Sequence, residues 1–339
     1  MTPSPFSPQR RACLRAGLAS ALPGLTGLLA ARPALAKEWP TKPVRLVLAI
    51  GPGSTADTLA RMLAPRLEAR WKQPVIVENK PGASGAVGTE YVVRATDEHT
   101  LLLGTQSSLL PRYTQKGLRF DPLADLVPVR KVLHYQFVIA ANAETTRQAR
   151  TLRDLVAQSK ASDKGLFFAG TGPGSLFNLS FAILNKQLGM RYTAVDFSSV
   201  PAMNMALMRG DAQFLVNIPA SIKGQIDTGA IVALAAISPQ RYPGLPDVPT
   251  LKEAVGYTGY LPQPWSGIFV PKGTAAAVVD RIASDVAAVF EDDGFRRQVE
   301  TSLAAAFVSP SSPAAFARDI REETGLWQEL FKSLNIQPE

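Results

Sequence analysis

Short runs of β-branched and other apolar residues alternate along this chain with longer stretches in which apolar positions recur every three or four residues. The runs at 44–50, 75–77, 101–103, 137–141, 166–168, 193–196, 212–216 and 231–235 read as buried strands. Between them, the segments 55–71, 85–94, 152–159, 176–188 and 203–209 carry the helical period. The last third reads as a strand at 267–270 followed by helices at 275–290, 294–302 and 314–334. Strand and helix in turn predict an α/β fold in which parallel or mixed sheets are covered by helices on both faces. Beyond the N-terminus the chain has no repeat of fixed period and no low-complexity tract.

The first 36 residues follow a different pattern. Arg10-Arg11-Ala12-Cys13-Leu14-Arg15 precedes an apolar run at 16–31, which is too short for a comfortable membrane span, and Ala34-Leu35-Ala36 then offers small residues at alternate positions. These are the parts of a cleavable export signal. The paired arginines point to the twin-arginine route, with an ordinary secretory signal as the alternative. The expected location is therefore the periplasm of a Gram-negative bacterium.

Cleavage at residue 36 changes the charge that matters. Four arginines and no acids leave, so Lys plus Arg falls from 36 to 32 against 28 acids and the formal charge falls from +8 to +4. Nucleic-acid binding would need clustered basic stripes, which the remainder lacks. The single cysteine, Cys13, leaves as well, and with it any disulfide, thiolate nucleophile or thiolate metal ligand. About 300 residues remain, enough for two domains with their own cores. No run of 18 apolar residues follows Lys37, so membrane contact is expected only through partners.

The segment 128–141 and the proline-rich stretch 243–249 are the candidate crossings between two lobes. They predict a discontinuous first lobe at 37–138 plus 250–339 and a second at 139–249, with a ligand cleft at the carboxyl ends of strands and the amino ends of helices. Three loops suit that cleft. Gly51-Pro52-Gly53-Ser54-Thr55-Ala56-Asp57 joins a strand to a long helix, and its glycines and free first-turn N–H groups can approach an anion. The same residues also read as a capped helix, Ser54 being the N-cap and Asp57 standing at capping-box spacing. Thr171-Gly172-Pro173-Gly174-Ser175 repeats the arrangement in the second half, and Phe197-Ser198-Ser199-Val200-Pro201 opens a proline-initiated helix. None is a Walker or dinucleotide loop, so no cofactor is expected.

Trp39-Pro40-Thr41-Lys42-Pro43-Val44-Arg45, then Gly51-Pro52-Gly53 to Asp57 and Leu59-Ala60-Arg61, resembles the opening of the Bug family of periplasmic solute-binding receptors. The likeness continues in Val77-Glu78-Asn79-Lys80-Pro81-Gly82-Ala83-Ser84-Gly85, Gly88-Thr89-Glu90, Gly104-Thr105, Phe120-Asp121-Pro122, Leu245-Pro246-Asp247-Val248-Pro249-Thr250, Trp265-Ser266-Gly267 and Val270-Pro271-Lys272-Gly273-Thr274. The resemblance spans essentially the whole chain after the signal. It implies a two-lobed Venus-flytrap receptor, expected to act as a monomer, that delivers a small carboxylate to the membrane permease subunits of a tripartite tricarboxylate transporter. It also implies that the carboxylate is held by backbone groups and waters at Gly51, Pro52, Gly53, Ser54, Thr55 and Asp57, at Thr105 and Ser107, at Thr171, Gly172, Gly174 and Ser175, and at Phe197, Ser198 and Ser199.

Departures from the family pattern bear on the ligand. Phe197-Ser198-Ser199 stands where relatives often have tyrosine, lysine and glycine, and Val216 precedes Asn217, itself an expected ligand-binding residue, where aspartate is common. With less to offer an ammonium group, the site is expected to take a carboxylate with an apolar or aromatic body, walled by Ile50, Phe177, Phe197 and Trp265. Taken singly, Phe177 and Trp265 read first as core. A receptor that signals to a sensor protein would use the same fold. A periplasmic hydrolase is the remote alternative, because no G-x-S-x-G or H-E-x-x-H motif is present. Of the two histidines, His134 reads as structural and His99 as solvated.

Overall fold

A computed structural model describes residues 39–146, 149–172 and 174–333. The expected export signal at 1–36 and Pro173 lie outside the described residues. The strands are β1 (Val44–Leu48), β2 (Val75–Asn79), β3 (Thr100–Thr105), β4 (Leu126–Tyr135), β5 (Phe137–Asn142), β6 (Leu166–Gly170), β7 (Tyr192–Asp196), β8 (Phe214–Asn217), β9 (Ile231–Ile237), β10 (Trp265–Pro271) and β11 (Ala305–Phe307). The helices are α1 (Thr55–Trp71), α2 (Ala86–Val93), α3 (Pro111–Thr114), α4 (Pro122–Asp125), α5 (Leu152–Ala161), α6 (Leu176–Leu188), α7 (Val200–Arg209), α8 (Lys223–Asp227), α9 (Leu251–Val255), α10 (Ala276–Val289), α11 (Asp293–Leu303) and α12 (Pro313–Ser333).

Two mixed sheets organise the chain. The first has strand order β11-β4-β10-β3-β1-β2 and the second β7-β6-β8-β5-β9. In the first, β1 runs parallel to β2 and β3, while β10 runs antiparallel to β3 and β4. In the second, β6 runs parallel to β7 and β8, and β5 runs antiparallel to β8 and β9. The chain passes from the first sheet to the second through the single residue Gln136, and returns through the segment 238–264.

Local chemistry places the helix starts. Ser54, Ser175 and Ser199 accept from the backbone N–H of Asp57, Asn178 and Ala202 and so cap α1, α6 and α7. Thr151 with Asp154 and Thr250 with Glu253 form full capping boxes at α5 and α9. Gly189 and Gly210 end α6 and α7 in the left-handed conformation, where a side chain would be strained. Between sheet and helices, Phe168, Phe181 and Phe214 pack with ring centroids 4.8 to 5.3 Å apart, a buried aromatic knot that fastens α6 to β6 and β8.

Within the candidate crossing at 128–141 the chain is strand on both sides of Gln136, where it changes sheet: Pro128 lies within β4, opposite Phe269 at a register irregularity. The charges that hide this strand have distant partners. Arg130 donates to the Ser311 carbonyl at 2.6 Å and Lys131 to Asp319 at 3.1 Å, both contributed by the α12 region. His99 is buried, not solvated; its Nε2 accepts from the Thr41 backbone N–H at 3.0 Å.

Candidate functional site

Strand ends and helix starts from both sheets converge on one partly open cavity of about 60 Å³. The β1–α1 turn contributes Ile50, Ser54, Thr55 and Ala56, and the end of β3 contributes Thr105, Gln106 and Ser107. The junction of β4 and β5 adds Tyr135 and Phe137, and the N-termini of α6 and α7 add Leu176, Phe177 and Val200. Asn217, Ile218 and Ser221 follow β8, while Pro264, Trp265 and Ser266 come from the start of β10. Three helix N-termini thus border one space, each bringing N–H groups that have no partner within the helix. With one water-sized sphere taking roughly 10–15 Å³ of such volume, the cavity holds about four to six small groups.

Among the described residues, no Asp, Glu, Lys, Arg or His lines this cavity. Its polar character comes from hydroxyls, amides and backbone. Thr55 Oγ1 and Ser221 Oγ lie 3.1 Å apart and join the two sides directly. Tyr135 donates to Ser266 Oγ at 2.9 Å, and full burial raises its pKa well above the ordinary phenol value. Asn217 donates to Asn204 Oδ1 at 2.7 Å and accepts from the Ile218 N–H at 2.8 Å. Gln106 accepts from the Trp265 N–H at 3.0 Å and donates to the Gln263 carbonyl, which ties the β3 turn to the start of β10. The apolar wall is aromatic, with Phe137 and Phe177 rings 5.3 Å apart and the buried Trp265 contributing to the same lining.

Of the residues expected at the site, Ser54, Thr55, Thr105, Ser107 and Asn217 line the cavity. The others lie around it. Gly51 and Pro52 belong to the turn before α1, and the Gly53 N–H donates to Asp57 at 3.0 Å. The Asp57 carboxylate also receives Arg61 and Asn79, so its hydrogen-bonding capacity is spent within the protein. Burial works to raise its pKa, but the bonds from Arg61, Gly53 and Asn79 outweigh burial and hold it below the usual carboxylate value. The second loop closes on itself similarly: Thr171 N–H and Ser175 Oγ donate to Asn178 Oδ1, and Gly172 N–H donates to Asp196. Gly174 lies in the same turn. Phe197 packs into the core of the second sheet, Ser198 is exposed, and Ser199 caps α7.

Ile50, Phe177 and Trp265 stand in the wall, and Trp265 is at the same time buried core. Tyr135, Phe137, Ser221 and Ser266 also line the cavity though no motif pointed to them, and Gln106 does so between the expected Thr105 and Ser107. Their only local signal is proximity to strand ends, and Ser221 offers none. His134 lies elsewhere, on β4 along a larger open groove, where burial and then the Lys131 charge push its pKa down to about 4 against the opposing effect of Asp319. Among the described residues no group of three His, Cys, Asp or Glu is placed to hold a metal ion, and no helix is long and apolar enough to cross a membrane.

The chain is similar to known proteins along nearly all of its described length. The family described as Tripartite tricarboxylate transporter family receptor matches residues 59–336. A UPF0065 protein of Bordetella bronchiseptica is 31% identical over 309 residues, which cover 90% of this chain and 89% of that protein. The solved structure of the periplasmic binding protein BugD matches with a TM-score of 0.80 at 28% identity, covering 89% of this chain and 100% of that one. An R. palustris protein solved with adipate matches with a TM-score of 0.82 at 26% identity, with the same coverage of 89% and 100%.

Proposed function

Because the chain belongs to the tripartite tricarboxylate transporter receptor family, we propose that it is a periplasmic receptor that captures a small carboxylate and delivers it to the membrane permease of such a transporter. The observation that carries this reading is the uncharged cavity bordered by helix N-termini from both sheets. A carboxylate entering it meets oriented N–H groups and the hydroxyls of Ser54, Thr55, Ser107 and Ser221, which stabilise an anion without a buried lysine. Bridging waters complete the contacts that direct bonds do not reach.

The same lining favours an apolar body on that carboxylate. Ile50, Phe137, Leu176, Phe177, Val200 and Trp265 offer apolar surface, whereas among the described residues no carboxylate lines the cavity to pair with an ammonium group. Adipate, found in the R. palustris relative, has this character, with four methylenes between its carboxylates. Amino acids are expected to bind poorly. The first lobe then comprises 37–138 plus 250–339 and the second 139–249, a division supported by the two sheets and their crossings. Residues 1–36 act as the export signal, and the receptor works as a monomer without a cofactor.

Uptake tests the delivery step. Deletion of the gene is expected to abolish accumulation of the cognate labelled carboxylate, and re-expression to restore it. Undiminished uptake of every carboxylate that binds the purified protein would contradict the transport role.

A further inference from the structure

The two glycine turns face each other's sheets across the cavity rim. A Cβ on Gly51 would stand 3.7 Å from Ser199 Cβ, and one on Gly53 would stand 3.0 Å from Pro201 Cγ. From the opposite side, a Cβ on Gly172 would lie 3.4 Å from Ser84 Oγ, and one on Gly174 would lie 3.1 Å from the Thr114 side chain. Gly51 and Gly53 follow β1 of the first sheet, while Ser199 and Pro201 precede or open α7 of the second. Gly172 and Gly174 follow β6 of the second sheet, while Ser84 and Thr114 belong to segments that follow strands of the first. The Thr55–Ser221 hydroxyl pair, at 3.1 Å, crosses the same boundary.

We infer that the two glycine turns, together with the Thr55–Ser221 pair, form the seam along which the lobes meet, and that they set the balance between open and closed forms of the ligand-free protein. This rests on the receptor reading for its purpose, though not for its geometry. Missing side chains on both rims let each turn lie against side chains from the other sheet, and a methyl added at Gly53 or Gly174 would meet its neighbour at 3.0 to 3.1 Å, which obliges that side chain to give by a few tenths of an ångström. Hence Gly51, Gly53, Gly172 and Gly174 act as positioning residues for closure. The anion contacts fall to the helix N-termini and hydroxyls behind them.

Gly174 is the cleanest probe, because Gly53 and Gly172 have φ of +79° and +114° and alanine there would add backbone strain. The test is small-angle X-ray scattering and hydrogen exchange on ligand-free wild type, Gly174→Ala, Ser221→Ala and Gly224→Ala. Gly224 has open space around it and serves as the control. Gly174→Ala and Ser221→Ala are expected to raise the radius of gyration and to speed exchange at 51–57 and 171–176, the hydroxyl pair alone shifting the open-to-closed ratio about five-fold. Gly224→Ala should behave as wild type. If Ser221→Ala, together with Gly174→Ala where that variant folds, leaves both the dimension and the rim exchange unchanged, the seam assignment fails. A purely structural role would lower the melting temperature without changing the dimension, and that outcome also overturns it. Neither readout uses a ligand, so opening of the variants with no carboxylate bound by wild type would retire the receptor reading and leave the seam standing.

Discussion

Replacing Glu323 with glutamine removes a charge that sits directly behind the cavity wall. The Trp265 indole N–H, whose ring lines the cavity, donates to both Glu323 carboxylate oxygens at 3.0 Å. Burial pushes the Glu323 pKa up from 4.5 to about 7; the Trp265 bond and the Lys131 charge restrain the rise, and Asp319 adds to it. The folded protein therefore holds a proton that the unfolded chain has released, so this site's contribution to stability is complete below about pH 4.5 and is lost as pH rises through about 7. With one unit worth about 1.4 kcal/mol, the loss is roughly 1.4 kcal/mol at about pH 5.5 and roughly 3.4 kcal/mol at about pH 8.5. Glu323 is partly exposed, so solvent screening reduces the difference of ~2 kcal/mol between these two conditions to about 1–2 kcal/mol. Glutamine keeps an acceptor for the indole and cannot ionise. Urea unfolding of wild type and Glu323→Gln at both pH values should show the variant gaining about 1–2 kcal/mol relative to wild type as pH rises. A difference between the two proteins that is independent of pH, or one that falls as pH rises, would refute the assignment of a raised pKa to this site.

Three further substitutions, at two positions, test packing and the cavity wall. Asp285 is buried and receives Arg70, Arg281 and the Trp71 indole. Asp285→Ala should cost about 2–4 kcal/mol in denaturant unfolding, because three donors lose their shared acceptor. Burial acts to raise the Asp285 pKa but the bonds from Arg70, Arg281 and Trp71 lower it overall. The stability it supplies is thus present above the ordinary 3.8 and lost as pH falls below it, so the wild-type advantage over Asp285→Asn should shrink in acid. Phe177→Ala enlarges the cavity and removes its contact with Phe137; calorimetry should show affinity for adipate falling roughly ten-fold or more, with stability lowered by about 2–4 kcal/mol.

The alternation of β-branched runs and helical periods was enough to place most strands and helices, since Ser54, Ser175 and the glycines after α6 and α7 mark helix ends by local chemistry alone. β4 was not legible for the opposite reason: Arg130 and Lys131 are satisfied by groups about 180 residues away, and no local pattern announces partners at that distance. β11 is three residues on an edge, too short to show a period. The site divides along the same line. The β1–α1 turn and the β3 end carry glycine and hydroxyl signals, and they supply Ser54, Thr55, Thr105 and Ser107 to the cavity. Tyr135, Phe137 and Ser221 reach it only because the two sheets meet there, and Gln106 is identified by its bonds to Gln263 and Trp265. Conversely, Asp57 and Ser175 look like ligand groups in isolation, yet the fold engages both in their own turns.

The central claim is that the uncharged cavity takes a small carboxylate with an apolar body. A thermal-shift screen tests it most directly, using protein unfolded and refolded to strip any copurified ligand. The panel should span aliphatic and aromatic acids, citrate, malate, keto acids and amino acids, each at millimolar concentration. A ligand specific to the native state raises the melting temperature in proportion to RT ln(1 + [L]/Kd), so even modest binders register. The account predicts shifts with adipate-like or aromatic acids and little response to aspartate or glutamate. Tight binding of those amino acids, or no shift with any carboxylate, would contradict it.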